Sequence, residues 1–169
     1  MEARYRMASA VLAALALVGA AGCTGTSPSE TREAAVYEEL VRWAVGADPT
    51  AGAAGDGPSV FIDSLHEDGI PLEVQVDTID RLGDELDVRF IDDQAEALSD
   101  DEELSVRDNG VLIGLGAVPA SSPVVVRVEV YRSLVDNSAF LVALVGGGDS
   151  WRLDGEPEPL PVAELVEDE

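Results

Sequence analysis

Few side chains in this 169-residue chain could carry chemistry, and most stand apart from the partners that chemistry needs. His66 is the only imidazole, so a general base or nucleophilic triad would have to run through it. It sits in His66-Glu67-Asp68-Gly69, a turn-forming run in which a solvated histidine is the simpler expectation. Cys23 is the only thiol, which excludes an internal disulfide. All ten basic residues are arginine, so Schiff-base lysines, lysine general bases and phosphate-loop lysines are excluded. Gly110, Gly114 and Gly116 have neither phosphate-loop nor dinucleotide-loop spacing and precede no helix; a bulge or close packing is expected there. No catalytic constellation emerges.

Carboxylates are the abundant reactive group. Seven fall within twelve residues: Asp92, Asp93, Glu96, Asp100, Asp101, Glu102 and Glu103. Clustered oxygens suit a hard cation, which takes six to eight of them. Aligned with a calcium loop of the EF-hand kind, Asp92, Gln94, Glu96, Asp100 and Glu103 would take ligand positions. Ala97 occupies the glycine hinge position, however, and Ala95-Glu96-Ala97-Leu98 favours helix, so the oxygens would not converge. A weak divalent-cation site on Asp92, Asp93, Glu96, Asp100, Asp101 and Glu103 stays open beside a solvated acidic surface. Gly148-Asp149-Ser150 resembles the Gly-Asp-Ser element of one family of serine esterases. In that family a histidine follows far downstream; here none does, and a turn is the expected role. No cofactor is implied.

The chain as a whole carries 34 acids against 10 arginines, a formal net charge of −24. That field repels phosphate backbones, so nucleic acid is excluded as a partner. Arg4 and Arg6 precede Met7 to Ala21, fifteen apolar or small residues: too short to span a bilayer but suited to a secretory leader. Gly19-Ala20-Ala21-Gly22-Cys23 then resembles the lipobox of bacterial lipoproteins, although Ala20 stands where leucine is usual. The resemblance implies cleavage before Cys23, lipidation of its thiol, and attachment to the membrane through that lipid on the extracytoplasmic side. An ordinary signal peptide is the competing reading. Cleavage would leave eight arginines against 33 acids.

Elements must then be found to position whatever site exists. Ser27-Pro28-Ser29-Glu30 has a capping residue, proline at the first helical position and Glu three residues on, followed by Val36, Leu40, Trp43 and Ala44 at helical spacing. A helix to about Val45 is expected, packed on the core rather than on the membrane, because its polar face is acidic. Residues 46–58 form a glycine-rich connector. Val60-Phe61-Ile62 reads as a strand. Leu72, Val76, Ile79, Leu82 and Leu86 predict the inward face of a second helix, and Val88 to Ile91 a strand after it. Val111 to Leu115 is entered through the turn Asp108-Asn109-Gly110. From Val124 to Leu134, Val124, Val126, Val128 and Val130 alternate with Val125, Arg127, Glu129 and Tyr131 and predict a long, half-buried strand, then Asp136-Asn137-Ser138 and Gly146 to Asp149 turn the chain into two further antiparallel strands.

Helices first and a β-meander last predict an α+β fold with N-terminal helices packed on one face of a mainly antiparallel sheet. The expected division is a signal peptide at 1–22, a lipidated tether at 23–29, one domain at 30–154, and an acidic, proline-containing tail at 155–169. Trp43, Phe61, Leu82, Phe90, Val126, Val128 and Leu141 are the expected core. The element order, closing on Asp149-Ser150-Trp151-Arg152-Leu153, resembles the cone-shaped domains of the nuclear-transport-factor-2-like and cystatin-like kind. That resemblance implies a pocket and no particular activity. The leading functional expectation is a non-catalytic lipid-anchored envelope protein that binds an unidentified extracytoplasmic protein or small ligand. A carboxylate-based hydrolase, with two acids set across a cleft, is the alternative.

Overall fold

The computed structural model describes residues 27–46, 59–83, 86–100 and 104–161. The leader, Cys23, most of the glycine-rich connector, Asp101, Glu102, Glu103 and residues 162–169 lie outside them. Helix α1 (Pro28–Gly46) begins where the capping pattern places it. The Ser27 backbone N–H donates to Glu30 Oε2 at 2.5 Å, and the Glu30 N–H donates to Ser27 Oγ at 3.3 Å. Both exchanges of a capping box are therefore made. Hydrogen bonding from the Ser27 backbone N–H first, and from the Ser27 side chain second, holds the Glu30 carboxyl below the usual carboxylate range.

After α1 the order is β1 (Ser59–Ser64), α2 (Leu72–Leu82), β2 (Asp87–Phe90), β3 (Val111–Leu115), β4 (Val124–Ser133), β5 (Asp136–Gly147), β6 (Ser150–Leu153) and β7 (Glu158–Leu160). The strands form one mixed sheet in the order β2-β1-β3-β4-β5-β6, with β7 also on β5. β1 is parallel to both β2 and β3, and the remaining four ladders are antiparallel. This is the expected α+β fold with a mainly antiparallel sheet. Its parallel corner arises because α2 and the 91–110 segment each return the chain to the starting end of the sheet.

Period-two alternation divides the residues between two faces. On the helix-covered face Val60 and Ile62 of β1, Val111, Ile113 and Leu115 of β3, and Val124, Val126 and Val128 of β4 pack with Tyr37, Leu40 and Val41 of α1. On the other face Phe61 and Leu112 pack with Ala97 and Val106 from the 91–110 segment. Gly110 and Gly114 fit the close-packing expectation. A Cβ on Gly110 would meet the Ser59 carbonyl, and one on Gly114 would lie 2.7 Å from Leu65 Cδ2.

Polar ties complete the helix layer. The Tyr37 hydroxyl, fully buried, lies 3.0 Å from Glu33 Oε1 and 3.1 Å from the Gly116 carbonyl. Burial first, then the Glu33 charge, push its pKa well above that of a free phenol. Arg81 of α2 joins three elements, 3.1 Å from Asp77, 3.0 Å from Asp149 in the β5–β6 turn and 3.8 Å from Glu38 of α1. Burial alone would lower its pKa, but Asp149 and Asp77 raise it, so it stays charged.

Four expectations are corrected. On α2 the buried residues are Val74, Thr78 and Leu82, whereas Leu72, Val76 and Ile79 are 68%, 50% and 39% exposed. The helix has apolar residues on two sides, and the Arg81 ties turn the Val74 side toward α1. Leu141 pairs with Arg127 on the face away from the helices and is only half-buried; Trp43 and Phe90 border the core without being enclosed. The β4–β5 turn is Leu134-Val135, because the ladder already closes at Ser133 and Asp136. Part of the expected tail is strand β7, since Glu158 to Leu160 finds unpaired backbone on β5.

Leu82→Ala should therefore cost about 2–5 kcal/mol in equilibrium unfolding, while Ile79→Ala should stay within about 0.5 kcal/mol. The two substitutions measured by chemical denaturation separate the observed face of α2 from the one its periodicity suggests. Glu30 titration supplies a second check. Its folded pKa is depressed, so its contribution is present above the ordinary carboxylate range and is lost as pH falls through the folded value. The stability gap between Glu30→Ala and the parent should thus be widest near neutral pH and close on acidification.

Candidate functional site

The connections leaving β1 and β2 pass to opposite sides of the sheet. From β1 the chain crosses to α2 on the helix face; from β2 it crosses to the 91–110 segment, which packs on Phe61 and Leu112. Adjacent parallel strands whose chains diverge in this way leave a crevice outside their carboxyl ends, the usual ligand position in open sheets with parallel strands. A cavity of about 380 Å³ lies there, bounded by Ile62 to Ser64, His66 to Ile70, Gln75 and Phe90 to Asp92.

Short-range hydrogen bonds shape its walls. Asp63 accepts from the Ser64 backbone N–H at 2.8 Å and from Gln94 Nε2 at 2.9 Å, so both carboxylate oxygens are held. Ser64 Oγ donates to the His66 carbonyl at 3.1 Å and accepts from the His66 N–H at 3.3 Å, closing a tight turn. Gly69, with φ of 68°, returns the chain toward α2, and Gln75 Nε2 donates to the Ile70 carbonyl at 2.7 Å. Inside this frame the Nε2 atom of His66 is buried with no hydrogen-bond partner. The expectation of a solvated histidine in a turn is thus half met: the turn forms, and the residue is half-buried with Nε2 shielded from solvent.

The electrostatics are one-sided. Asp63, Glu67, Asp68 and Asp92 border the cavity, and among the described residues no arginine does. The first turn of α2 opens nearby without a side-chain cap, but a helix terminus offers about half a positive charge, too little against four carboxylates. The crevice therefore favours cations or neutral donors over anions.

The acidic run does not assemble into one centre among the described residues. Asp92 reaches the crevice. Asp93 caps a short 3-10 turn at Gln94–Glu96 by accepting from the Ala95 N–H at 2.9 Å. Glu96 and Asp100 are exposed, while Ala97 anchors the segment to the sheet. No three of the described His, Cys, Asp and Glu side chains stand close enough together to hold a metal ion. Asp101 and Glu103 lie outside the described residues, as does Cys23. Gly148-Asp149 is the two-residue tip of the β5–β6 hairpin, with Gly148 at φ of 58° as such turns require, and Asp149 pairs with Arg81. Ser150 opens β6 without an imidazole beside it, since His66 borders the crevice. Sequence reasoning missed Asp63, Ser64 and Gln75 as site residues; the strand-helix-strand order over 60–91 was the signal that could have found them.

Comparison with known proteins adds no relative: no family model, no curated protein and no solved structure matches the chain.

An acidic surface and a cation site respond differently to ions. Screening stabilises smoothly whichever cation supplies it, whereas one-site binding saturates. Thermal unfolding with calcium titrated at constant ionic strength should show no saturating rise. A rise that saturates at micromolar calcium and is lost in the Asp100→Asn, Asp101→Asn variant would instead assign a metal site to the 92–103 run.

Proposed function

We propose that this chain is a non-catalytic, lipid-anchored envelope protein facing the extracytoplasmic side, and that the crevice at the ends of β1 and β2 binds a small ligand. The observation that carries the binding half is the crevice itself, a cavity at the divergence of two chain connections with polar groups converging on it. The anchoring half rests on the leader and on Cys23. No helix among the described residues is long and apolar enough to cross a membrane.

The location of α1 links the halves. Arg32 Nη2 donates to the Pro119 carbonyl at 2.8 Å, and Tyr37 meets Gly116 just beyond β3, whose last residue pairs with the last of β1. The start of α1 therefore lies at the crevice end of the sheet. Three residues separate Ser27 from Cys23, so the four steps between them reach at most about 14 Å. A lipid on Cys23 would hold the crevice close to the bilayer surface.

Hydrolysis by paired carboxylates is disfavoured by exposure. A general-acid carboxyl is kept protonated by apolar enclosure, yet Glu67, Asp68 and Asp92 are exposed to solvent. In the producing cells, Cys23→Ser should move the protein from the membrane to the soluble fraction and abolish fatty-acid labelling. Unchanged membrane retention would sink the anchoring half of the proposal and leave the crevice to be judged separately.

A further inference from the structure

The β4–β5 hairpin ends in an apolar turn. Ser133 and Asp136 pair, so Leu134 and Val135 alone form its tip, where glycine, asparagine or aspartate are the usual residues. Leu134 is 53% and Val135 91% exposed, and Asn137 Nδ2 fixes the turn by donating to the Leu134 carbonyl at 2.9 Å. Beside this apolar knob lies a hole. A cavity of about 90 Å³ is bounded by Trp43 and Ala44 at the end of α1 and by Val130, Ser138 and Phe140 of the same hairpin. Trp43 and Phe140 meet edge to face at 5.2 Å and supply its aromatic wall.

We infer that this end of the protein joins a second copy of the chain through a two-fold contact, with Val135 of each copy entering the cavity of the other. The cavity is well below the roughly 300–1,000 Å³ of small-molecule pockets and suits a single aliphatic side chain. Arg132 and Asp136 flank the tip and also line the cavity, so knob and hole lie on one patch. A patch that carries both halves of a contact is self-complementary, as a two-fold interface requires. Charge agrees. Arg132 and Asp136, 3.9 Å apart, are the one cation and the one carboxylate among the cavity residues and the tip, so the patch has no net charge in a chain of −24. Across the two-fold, the Asp136 carboxylate, 59% exposed, meets Arg132 of the other copy. A bilayer is a poorer occupant. β4 runs antiparallel to β3, so the tip stands at the opposite end of the sheet from the start of α1, where Cys23 would hold a lipid. The contact is small beside the roughly 1,200–2,000 Å² of stable interfaces, which makes the dimer a weak one.

The test uses the full-length chain in excess nonionic detergent with Cys23→Ser, which leaves no native thiol. Two single-cysteine forms, Val135→Cys and Ser138→Cys, are mixed and oxidised. A disulfide forms only between close Cα atoms, so the heterodimer should exceed either homodimer by about tenfold. Sedimentation of the parent chain should show reversible dimerisation that strengthens with sodium chloride, because salt screens the like charge of the two copies. Val135→Asp should weaken dimerisation by about tenfold or more, whereas Val76→Asp on the exposed face of α2 should leave it unchanged. The unfolding midpoint of dilute Val135→Asp should match the parent's. A chain that stays monomeric to millimolar concentration, or homodimers formed as readily as the heterodimer, would overturn the inference. Dispersal by Val76→Asp alone would move the contact to α2 and overturn it as well. A lowered midpoint for dilute Val135→Asp would do the same, by showing that the tip is covered by its own chain.

Discussion

Burial of α1 against the inner face of the sheet must hold together a chain in which acids outnumber arginines by 34 to 10 and no internal disulfide can form. Tyr37, Leu40 and Val41 meet Val124, Val126 and Val128 of β4 and the alternate residues of β1 and β3, all of them nearly inaccessible to water. Removing such surface contributes roughly 25 cal/mol per Å², a term that salt and pH do not weaken as they do surface charge pairs. The capping box and the Tyr37 hydrogen bonds set where α1 begins and how deep it sits. The start of α1 lies at the end of the sheet where β1 and β3 finish.

Two of the described arginines, Arg81 and Arg32, join separate elements. Arg81 ties α2 to α1 and to the β5–β6 turn, and its side chain is only 18% exposed. Arg32 reaches the loop before β4 and lies 5.2 Å above the Trp151 ring. Arg127 holds Glu129 on the outer face at 2.8 Å. The Arg89–Asp87 pair, half exposed on both sides, contributes little by comparison. No described arginine borders the β1–β2 crevice, so its carboxylates have no cationic neighbour among the residues that line it.

The crevice is also a consequence of β1 standing between two parallel neighbours. Its alternate residues serve two cores, Val60 and Ile62 under the helices and Phe61 under the 91–110 segment. Each core needs its own covering connection, so the chains beyond β1 and β2 must separate. The stability of both faces and the opening between them therefore have one origin.

Much of the architecture was legible in local sequence. The capping residues of α1, the alternating valines of β4, the Asp108-Asn109-Gly110 turn, with Asp108 and Asn109 at positive φ, and the Gly148-Asp149 hairpin tip are fixed by interactions between residues a few positions apart. The α+β class followed from their order. Tertiary structure decided which side of α2 is buried, because Leu72, Val76 and Ile79 compete with Val74 and Leu82 and only the neighbouring helix chooses between them. It likewise decided that Leu141 lies on the outer face, and that Glu158 to Leu160 joins the sheet. The candidate site belongs to the same class: Asp63, His66 and Asp92 are separated in sequence and border one cavity only because two parallel strands end side by side. Periodicity reports what each segment can bury; contacts between segments determine what is buried and what is left open.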